Sequence, residues 1–472
     1  MISGQIGSVH FVGIGGTAMG SAAIAMQKLG YRVTGSDQAI YEPMAGLLAT
    51  HRVPVTLGYA EANLDPAPDL VVIGNAITRG NPEAEAALNR RLRYCSLPEL
   101  LREFFIRGRR SLVVTGTHGK TTTTALLAHV FEASGRQPCF LIGGSPRNFP
   151  VGARFEGGEW FIIEGDEYDT AFFDKRSKFI HYLPEVVIAN NLEFDHADIF
   201  PDLAAIQTSF RHLFRILPGN GLLLANGDDP NLAPLLSLPH TPTRRFGLGD
   251  GNDARATDVT CRGDQSEFTV GSTRFHLPLA GAFNVRNALG VLACARHCGL
   301  TDAEIQRGFS TFQGVKRRLD PRGEADGVVV LDDFAHHPTA LAATLEVVRL
   351  KYPGRRVWAV FEPRSNTTRR NVFQQALVSA FAGADLVVVS QVARLTQLRP
   401  EERLDPEQLI RDLRARGKVA HYLPDVPTIL DLLANETRPG DVVCVFSNGE
   451  FDRIHEKLLS VLRAREGRQT RR

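Results

Sequence analysis

A chain of 472 residues is too long for one ordinary hydrophobic core, and a size of about 100 to 200 residues per domain predicts three. Fifty-four basic residues against 52 acidic ones leave a formal charge of +2, so no global field favours nucleic acid or an anionic membrane. Six scattered cysteines without a CxxC pair read as reduced thiols of a cytoplasmic protein, and no apolar run reaches the length of a membrane span.

In chain order, the N-terminus lacks a basic stretch followed by an apolar run and a cleavage site, so an unexported, soluble protein is expected. The first hundred residues then alternate short apolar runs with helical patterns: SVHFVGIG, a helix through AMGSAAIAMQKLG, YRVTGSD, a helix near EPMAGLLAT, VPVTLG and PDLVVIGNAI. Such alternation predicts a parallel, Rossmann-like sheet with right-handed crossovers. A helix around LPELLREFF and the basic link IRGRR lead to SLVVTG, which starts a second alternation.

That second stretch runs through GEWFIIEGDEYD, PEVVIANN, a helix from DLAAIQTSFRHLFRI, and GLLLANGDD. The short strand candidates RFGLG, SEFTV and TRFHLPL follow, then a helix on NVRNALGVLACARHCG, where Cys294 and Cys298 share one face as core residues rather than as a metal pair. The mixture predicts a central, P-loop ATPase-like domain, with a parallel sheet and a small antiparallel addition. After the short helix DAEIQRGFSTF the chain alternates again, through GVVVLDDFA, RRVWAVFEP, ADLVVVSQ, KVAHYL and DVVCVFSNG with helices between them. This is a third, Rossmann-like unit with ligand-facing loops at the carboxyl ends of its strands. Boundaries near Arg107 and Gly314 make residues 1–107, 108–314 and 315–472 the predicted domains, and RAREGRQTRR reads as a solvated tail.

Two glycine-rich turns stand out. In LVVTGTHGKTTTT, Gly116 and Gly119 let backbone N–H groups face one anion, while Lys120 adds a point charge and Thr121 offers a hydroxyl to a magnesium ion. The spacing G-x-x-G-K-T is shorter than the common phosphate-loop pattern. Four successive threonines would otherwise be a poor way to start a helix. In VHFVGIGGTAMG, Gly13, Gly15 and Ala18 have dinucleotide-like spacing, and Asp37 ends the second strand, where it could read a ribose hydroxyl or a uracil. On chemistry alone this turn admits NAD.

The segments EGDEYD and NNLEFDHADIF follow apolar strands, so their polar groups are expected at the same sheet edge as Lys120 and Thr121. Glu164 and His196 could complete an oxygen-rich magnesium shell there, a solvated acidic loop being the alternative. QGVKRRLD supplies an arginine cluster at a domain junction, suited to a transferring phosphoryl group. DDFAHHPT places Asp332, Asp333, His336 and His337 after a buried strand; zinc is a poor fit because no second cluster matches it. FEPRSNT and SNGEFDRIH also follow strands, and Arg364, Ser365 and Asn366 are well placed for peptide carboxylates, with helix capping as the alternative.

Taken together, HFVGIGG, TGTHGKTTTT, EGDEYD, NNLEFDH, NALG, KRRLD and DDFAHHPT resemble the Mur ligase family of ATP-dependent amide-forming enzymes over nearly the whole chain. HFVGIGG and DDFAHHPT are similar to the branch that uses UDP-N-acetylmuramate itself. AITRGNP, EYDTAFFDKRSKF, LEFDHADIF and FEPRSNT are similar to its members that ligate recycled murein peptide. The resemblance implies ligation of UDP-N-acetylmuramate to L-alanyl-γ-D-glutamyl-meso-diaminopimelate through an acyl phosphate, with L-alanine ligation as the alternative. ATP and magnesium are the implied cofactors, the two substrates the implied partners, and a monomer or weak homodimer the implied state.

Residue by residue, it implies UDP-sugar contacts at Gly13, Gly15, Gly16, Thr17, Asp37, Asn75 and Arg79. ATP contacts are implied at Gly116, Thr117, His118, Gly119, Lys120, Thr121, Thr122, Asn191, Asn287 and Asp333. Magnesium is implied at Thr121, Glu164 and His196, catalysis at Lys120, Glu164, His196 and Arg318, and peptide contacts at Arg364, Ser365, Asn366, Thr367 and Asn448. Phe283 stands where many members carry a histidine, and Glu450 and Asp452 stand where glycines are expected.

Overall fold

The computed structural model describes residues 6–238 and 240–469, so the last three residues of the basic tail lie outside the described residues. By compactness the chain forms two units. One runs up to Phe194 and takes in Asp202–Ala256 and Arg286–Gln313; the other comprises Asp195–Pro201, Thr257–Val285 and the chain from Gly314 onward. Among the described residues no helix is long and apolar enough to cross a membrane.

The first unit holds two main sheets and a two-stranded hairpin. The N-terminal one has five parallel strands in the spatial order Val55–Leu57, Arg32–Asp37, Ser8–Val12, Leu70–Ile73, Tyr94–Ser96. Ser8–Val12 and Leu70–Ile73 are buried along their whole length, as parallel strands covered on both faces should be. Helix starts are fixed locally. Asn81 accepts hydrogen bonds from the N–H groups of Glu83 and Ala84 with Pro82 in the first turn, and Ser96 forms a capping box with Glu99. Helix Leu97–Leu101 widens into a π-turn over Arg102–Ile106, closed by the Arg107 N–H donating to Arg102 O.

The larger sheet has eight strands, with Arg110–Thr115 flanked by Trp160–Gly165 on one side and Val186–Ala189 on the other, all parallel. The sequence expectation for RFGLG needs correction. Thr243–Gly247 pairs in parallel with Leu222–Asn226 and extends this sheet; the antiparallel addition is Thr257–Arg262, Gln265–Val270 and Thr273–Leu277, a separate sheet that by compactness belongs to the second unit. The first of those was missed because its side chains are mostly exposed and threonine-rich, without an apolar alternation.

A short antiparallel hairpin, Asp169–Ala171 with Asp174–Ser177, follows the carboxyl end of strand Trp160–Gly165 in the eight-stranded sheet. Its tip residues Phe172 and Phe173 pack on the apolar core of the five-stranded sheet, together with Tyr59 and Leu92. Phe173 meets Tyr94 edge-on at 4.9 Å. At its base, buried His181 lies 3.0 Å from Asp174 through Nε2 and 3.3 Å from the Arg102 guanidinium through Nδ1. Two sheets far apart in sequence are thereby joined within one compact unit.

The second unit holds that three-stranded sheet and a larger one of six strands. Asp320–Ala325 is antiparallel to Val328–Asp333, and Val328–Asp333, Val442–Phe446, Val357–Phe361, Leu386–Val389 and Val419–Tyr422 follow in parallel. The turn Asp326–Gly327 has φ of 49° and 69°, the geometry of a two-residue hairpin loop. Each face of the sheet carries its own apolar cluster, one around Phe361 and Leu377, the other around Trp358 and Leu458.

Candidate active site

Strand Arg110–Thr115 ends at Gly116, and helix Lys120–Ala133 begins after Gly119. A side chain at Gly116 would place its Cβ 3.0 Å from the backbone N and O of Asn191, and one at Gly119 would lie 2.6 Å from Asn287 Oδ1. Gly119 also has φ +79°, in the left-handed region. The loop is clamped from outside. The His118 N–H donates to Asn191 Oδ1 at 2.7 Å, Asn191 Nδ2 donates to His118 O at 3.1 Å, and the Thr117 N–H donates to Asn191 O at 3.2 Å. Glu193 adds a bond from its N–H to Thr117 Oγ1 at 2.8 Å and a carboxylate 2.8 Å from His118 Nε2. No side chain caps the helix N-terminus, so its positive end and first N–H groups suit an anion.

The end of strand Trp160–Gly165 and the segment after it supply the acids. Thr121 Oγ1 donates to Glu164 Oε1 at 3.0 Å, and the Gly143 N–H holds Glu164 Oε2 at 2.7 Å. Burial pushes the Glu164 carboxyl above its ordinary range, against the opposing pull of Lys120. A half-buried carboxylate and a hydroxyl, both hard oxygen donors, fit magnesium. Lys120 Nζ reaches both oxygens of Glu167, at 2.8 and 3.0 Å, and Glu167 is only 3% exposed. Burial works against the ammonium, but Glu167 and Asp166 outweigh it, so Lys120 stays charged. Asp166 is desolvated too; Lys178, at 2.5 Å, and Lys120 nevertheless bring its carboxyl down to about 2.

The second glycine turn lies on the five-stranded sheet. Gly13 takes φ +86°, and the N–H groups of Gly13 and Ile14 donate to Ser36 O. Asp37 accepts from the Gly15 N–H at 2.7 Å and from the Tyr59 hydroxyl at 3.3 Å. Burial, with Asp37 next to it, pushes the Tyr59 hydroxyl up to about 12. Gly16, Thr17 and Asn75 are exposed around this turn, and Arg79 is exposed and paired with Glu85 at 2.8 and 3.0 Å. Beneath it, fully buried Glu83 gathers His10, Ser36 and Asn63 at 3.2, 2.5 and 2.5 Å.

In the second unit, the polar loops again sit at the carboxyl ends of strands. Asp333 accepts from the N–H groups of Leu319 at 2.6 Å and Ala335 at 2.7 Å, and burial pushes its carboxyl up. Arg318 is exposed with its guanidinium 5.1 Å from the Phe334 ring centroid, while Arg317 donates to the carbonyls of Ser447 and Gly449 at 2.7 Å. After strand Val357–Phe361, Arg364 lies 3.4 Å from Glu362, whose other oxygen accepts from the Ser447 hydroxyl at 2.5 Å. Ser365 caps the turn through the Thr368 N–H at 3.1 Å. Asn366 and Thr367 bind Asp198 and Asp195, at 2.7 and 2.6 Å. His196 belongs to this unit as well, at φ 56°, with its N–H on Asp195 Oδ1 at 2.7 Å.

Sequence models described as Mur ligase family, catalytic domain, Mur ligase middle domain, and Mur ligase, glutamate ligase domain match residues 8–109, 114–295 and 317–449 in turn. A UDP-N-acetylmuramate–L-alanyl-gamma-D-glutamyl-meso-2,6-diaminoheptandioate ligase of Escherichia coli is 43% identical over 462 residues, covering 96% of this chain and 98% of that protein. The chain belongs to the Mur ligase family. Within that family, a UDP-N-acetylmuramate–L-alanine ligase of Variovorax paradoxus is 33% identical over 476 residues, covering 97% of this chain and 95% of that protein. The crystal structure of a murein peptide ligase from Psychrobacter arcticus matches with a TM-score of 0.73 at 36% identity, covering 97% of this chain and 99% of that one. The three-domain Mur ligase architecture, with Rossmann-like N- and C-terminal domains around a central mixed-sheet domain, agrees with the matched ranges and the three main sheets.

Against this Mur ligase frame, the structure brings together Gly116, Thr117, His118, Gly119, Lys120 and Thr121 with Asn191, Asn287 and Glu164, and Thr122 follows in the first helical turn. Asn191 and Asp333 each spend their side chains on loop backbone. Asn448 is half-buried beside Ser447, and its Oδ1 lacks a hydrogen-bond partner among the described residues. Sequence reading missed Tyr59, Glu83, Glu167, Glu193 and Asp195. Glu167, Glu193 and Asp195 sit inside motifs already quoted, EGDEYD and NNLEFDH, but only the fold tells which carboxylate faces which partner.

Proposed function

We propose that this chain ligates UDP-N-acetylmuramate to L-alanyl-γ-D-glutamyl-meso-diaminopimelate, converting ATP to ADP and phosphate and returning murein peptide to peptidoglycan precursors in the cytoplasm. The observation that carries the reading is the phosphate loop with Lys120 and Thr121 at its helix start and Glu164 bonded to Thr121 at 3.0 Å. Gly116 and Gly119 leave room for a phosphate chain where any side chain would collide with Asn191 or Asn287.

In this mechanism the muramate carboxylate attacks the γ-phosphate, giving an acyl phosphate, and the peptide amine displaces phosphate from the activated carbonyl. Both steps gather negative charge. Lys120, kept cationic by Glu167 and Asp166, stabilises it, and exposed Arg318 is assigned the same role. Magnesium, held by Thr121, Glu164 and His196, would supply further neutralisation of the phosphates. The N–H groups around Gly13, Gly15 and Gly16 with Thr17, Asp37, Asn75 and Arg79 are assigned to the UDP-sugar, and Arg364, Ser365, Asn366 and Asn448 to the peptide. Residues 1–107, 108–314 and 315–472 are the corresponding UDP-sugar, ATP and peptide domains.

The test is phosphate release from ATP with magnesium and UDP-N-acetylmuramate, comparing the tripeptide with free L-alanine. Release with the tripeptide alone is expected. Release with alanine alone would make this an L-alanine ligase, and silence with both would overturn the ligase reading.

A further inference from the structure

The segment Asp195–Pro201 is fastened to a loop about 170 positions away, within one compact unit. Thr367 Oγ1 donates to Asp195 Oδ1 at 2.6 Å and accepts from the Ala197 N–H at 3.3 Å. Asn366 Nδ2 donates to Asp198 Oδ2 at 2.7 Å, and His336 Nε2 lies 3.7 Å from Asp195 Oδ2. Asp195 is 4% and Thr367 1% exposed, so both hydrogen-bonding groups are withdrawn from water and each depends on the other. A surface tie would not need a buried carboxylate.

What Asp195 does with its remaining capacity gives the tie its direction. The oxygen that Thr367 binds also accepts the N–H of His196 at 2.7 Å. His196 takes φ 56°, in the left-handed region that few non-glycine residues occupy, with its N–H held on Asp195. The contacts run in series from the Thr367 hydroxyl to the Asp195 carboxylate and on to the His196 backbone N–H. Thr367 and Asn366 stand in the same turn as Arg364, the half-buried cation after strand Val357–Phe361. The loop assigned to the incoming peptide and the histidine assigned to the metal share one set of hydrogen bonds.

We infer that Thr367 is a positioning residue: through Asp195 it sets the conformation of His196, so that the acceptor loop Arg364–Thr367 and the metal-binding histidine are coupled. The inference rests on the reading of His196 as a magnesium ligand. It gives Thr367 a different duty from direct peptide contact.

The experiment compares Thr367→Val, which keeps the size and removes the hydroxyl, with Thr367→Ser, which keeps the hydroxyl. Amide hydrogen exchange of the ligand-free protein is read at His196 and Ala197. Steady-state kinetics are read as kcat, KM for the tripeptide and the magnesium concentration giving half-maximal rate. In Thr367→Val, exchange at both amides rises about tenfold, half-maximal magnesium rises several-fold and kcat falls about tenfold, with the tripeptide KM within about threefold of wild type. Thr367→Ser restores all of these. Asp198→Ala, at the exposed end of the same tie, moves them in the same direction by less, and serves if Thr367→Val does not fold. Unchanged exchange would overturn the tie; raised exchange with unchanged magnesium response and kcat would overturn the coupling. His196→Ala separates the two readings: if it keeps the wild-type magnesium response, the metal assignment itself fails.

Discussion

Replacing Gly119 by alanine tests whether the phosphate loop is shaped by the two constraints argued for it. At φ +79° an L-residue costs about 1 kcal/mol in backbone strain. The new Cβ would also lie 2.6 Å from Asn287 Oδ1 and 3.2 Å from its Cγ and Nδ2. Asn287 is only 5% exposed, so it cannot swing into water, and overpacking of this kind adds about 1 to 3 kcal/mol. Gly119→Ala should therefore lose about 2 to 4 kcal/mol, and the KM for ATP should rise because the loop must open to relieve the clash. Gly30→Ala is the control. Gly30 has φ +93° and nothing within 4 Å of its would-be Cβ, so it should lose the backbone share alone, about 1 kcal/mol. In urea titrations, a cycle of Gly119→Ala, Asn287→Ala and the double variant should return a coupling of about 1 to 2 kcal/mol in favour of the double variant. Equal losses at Gly119 and Gly30, with no coupling to Asn287, would refute the packing argument.

Lys120→Ala should lower kcat by a factor of at least about 100 by taking a charge from the phosphate site, and wild-type turnover would sink the assignment. The same substitution leaves Glu167, 3% exposed, without its ammonium, and should cost on the order of 3 kcal/mol in stability by urea titration. Asp166 sets a pH dependence. Its carboxyl is held at about 2, below the ordinary 3.8, so the stability it contributes is present above about pH 4 and lost as the pH falls towards 2. Asp166→Asn should flatten that acid limb in melting curves recorded against pH; an unchanged limb would show that Asp166 is not paired with Lys178 as described.

Much of this was legible because parallel strands buried on both faces write themselves as apolar runs. Ser8–Val12, Arg110–Thr115 and Val186–Ala189 are such runs, and the polar motifs that follow them land at the sheet edges where ligands bind. The misses have local causes. Asp326–Gly327 is a hairpin signal, yet the strand before it, DPRGEA, carries almost no apolar pattern because its outer face is solvated. The hairpin at Asp169–Ser177 is polar along both strands and is held from its tip, by contacts of Phe172 and Phe173 that no local pattern announces. The peptide turn shows the limit of motif reading. FEPRSNT announces polar groups at a strand end, whereas the engagement of Thr367 with Asp195 depends on two segments about 170 positions apart.

That same hairpin explains how one chain can run two glycine loops towards one reaction. The stretch leaving strand Trp160–Gly165 first places Glu164 on Thr121, then Asp166 on Lys178 and Glu167 on Lys120. A few residues later it packs half-buried Phe172 and Phe173 against the core of the five-stranded sheet, on the apolar cluster where Tyr59 also packs. Tyr59 in turn holds Asp37, and Asp37 holds the Gly15 N–H. One short excursion of chain therefore touches the ammonium of the ATP loop at one end and the packing beneath the sugar loop at the other. A carboxylate must meet a γ-phosphate at near-contact distance for acyl phosphate to form. Carrying both loops on a shared, packed connection fixes that approach more firmly than two independently folded sites joined by the link at Arg107 could.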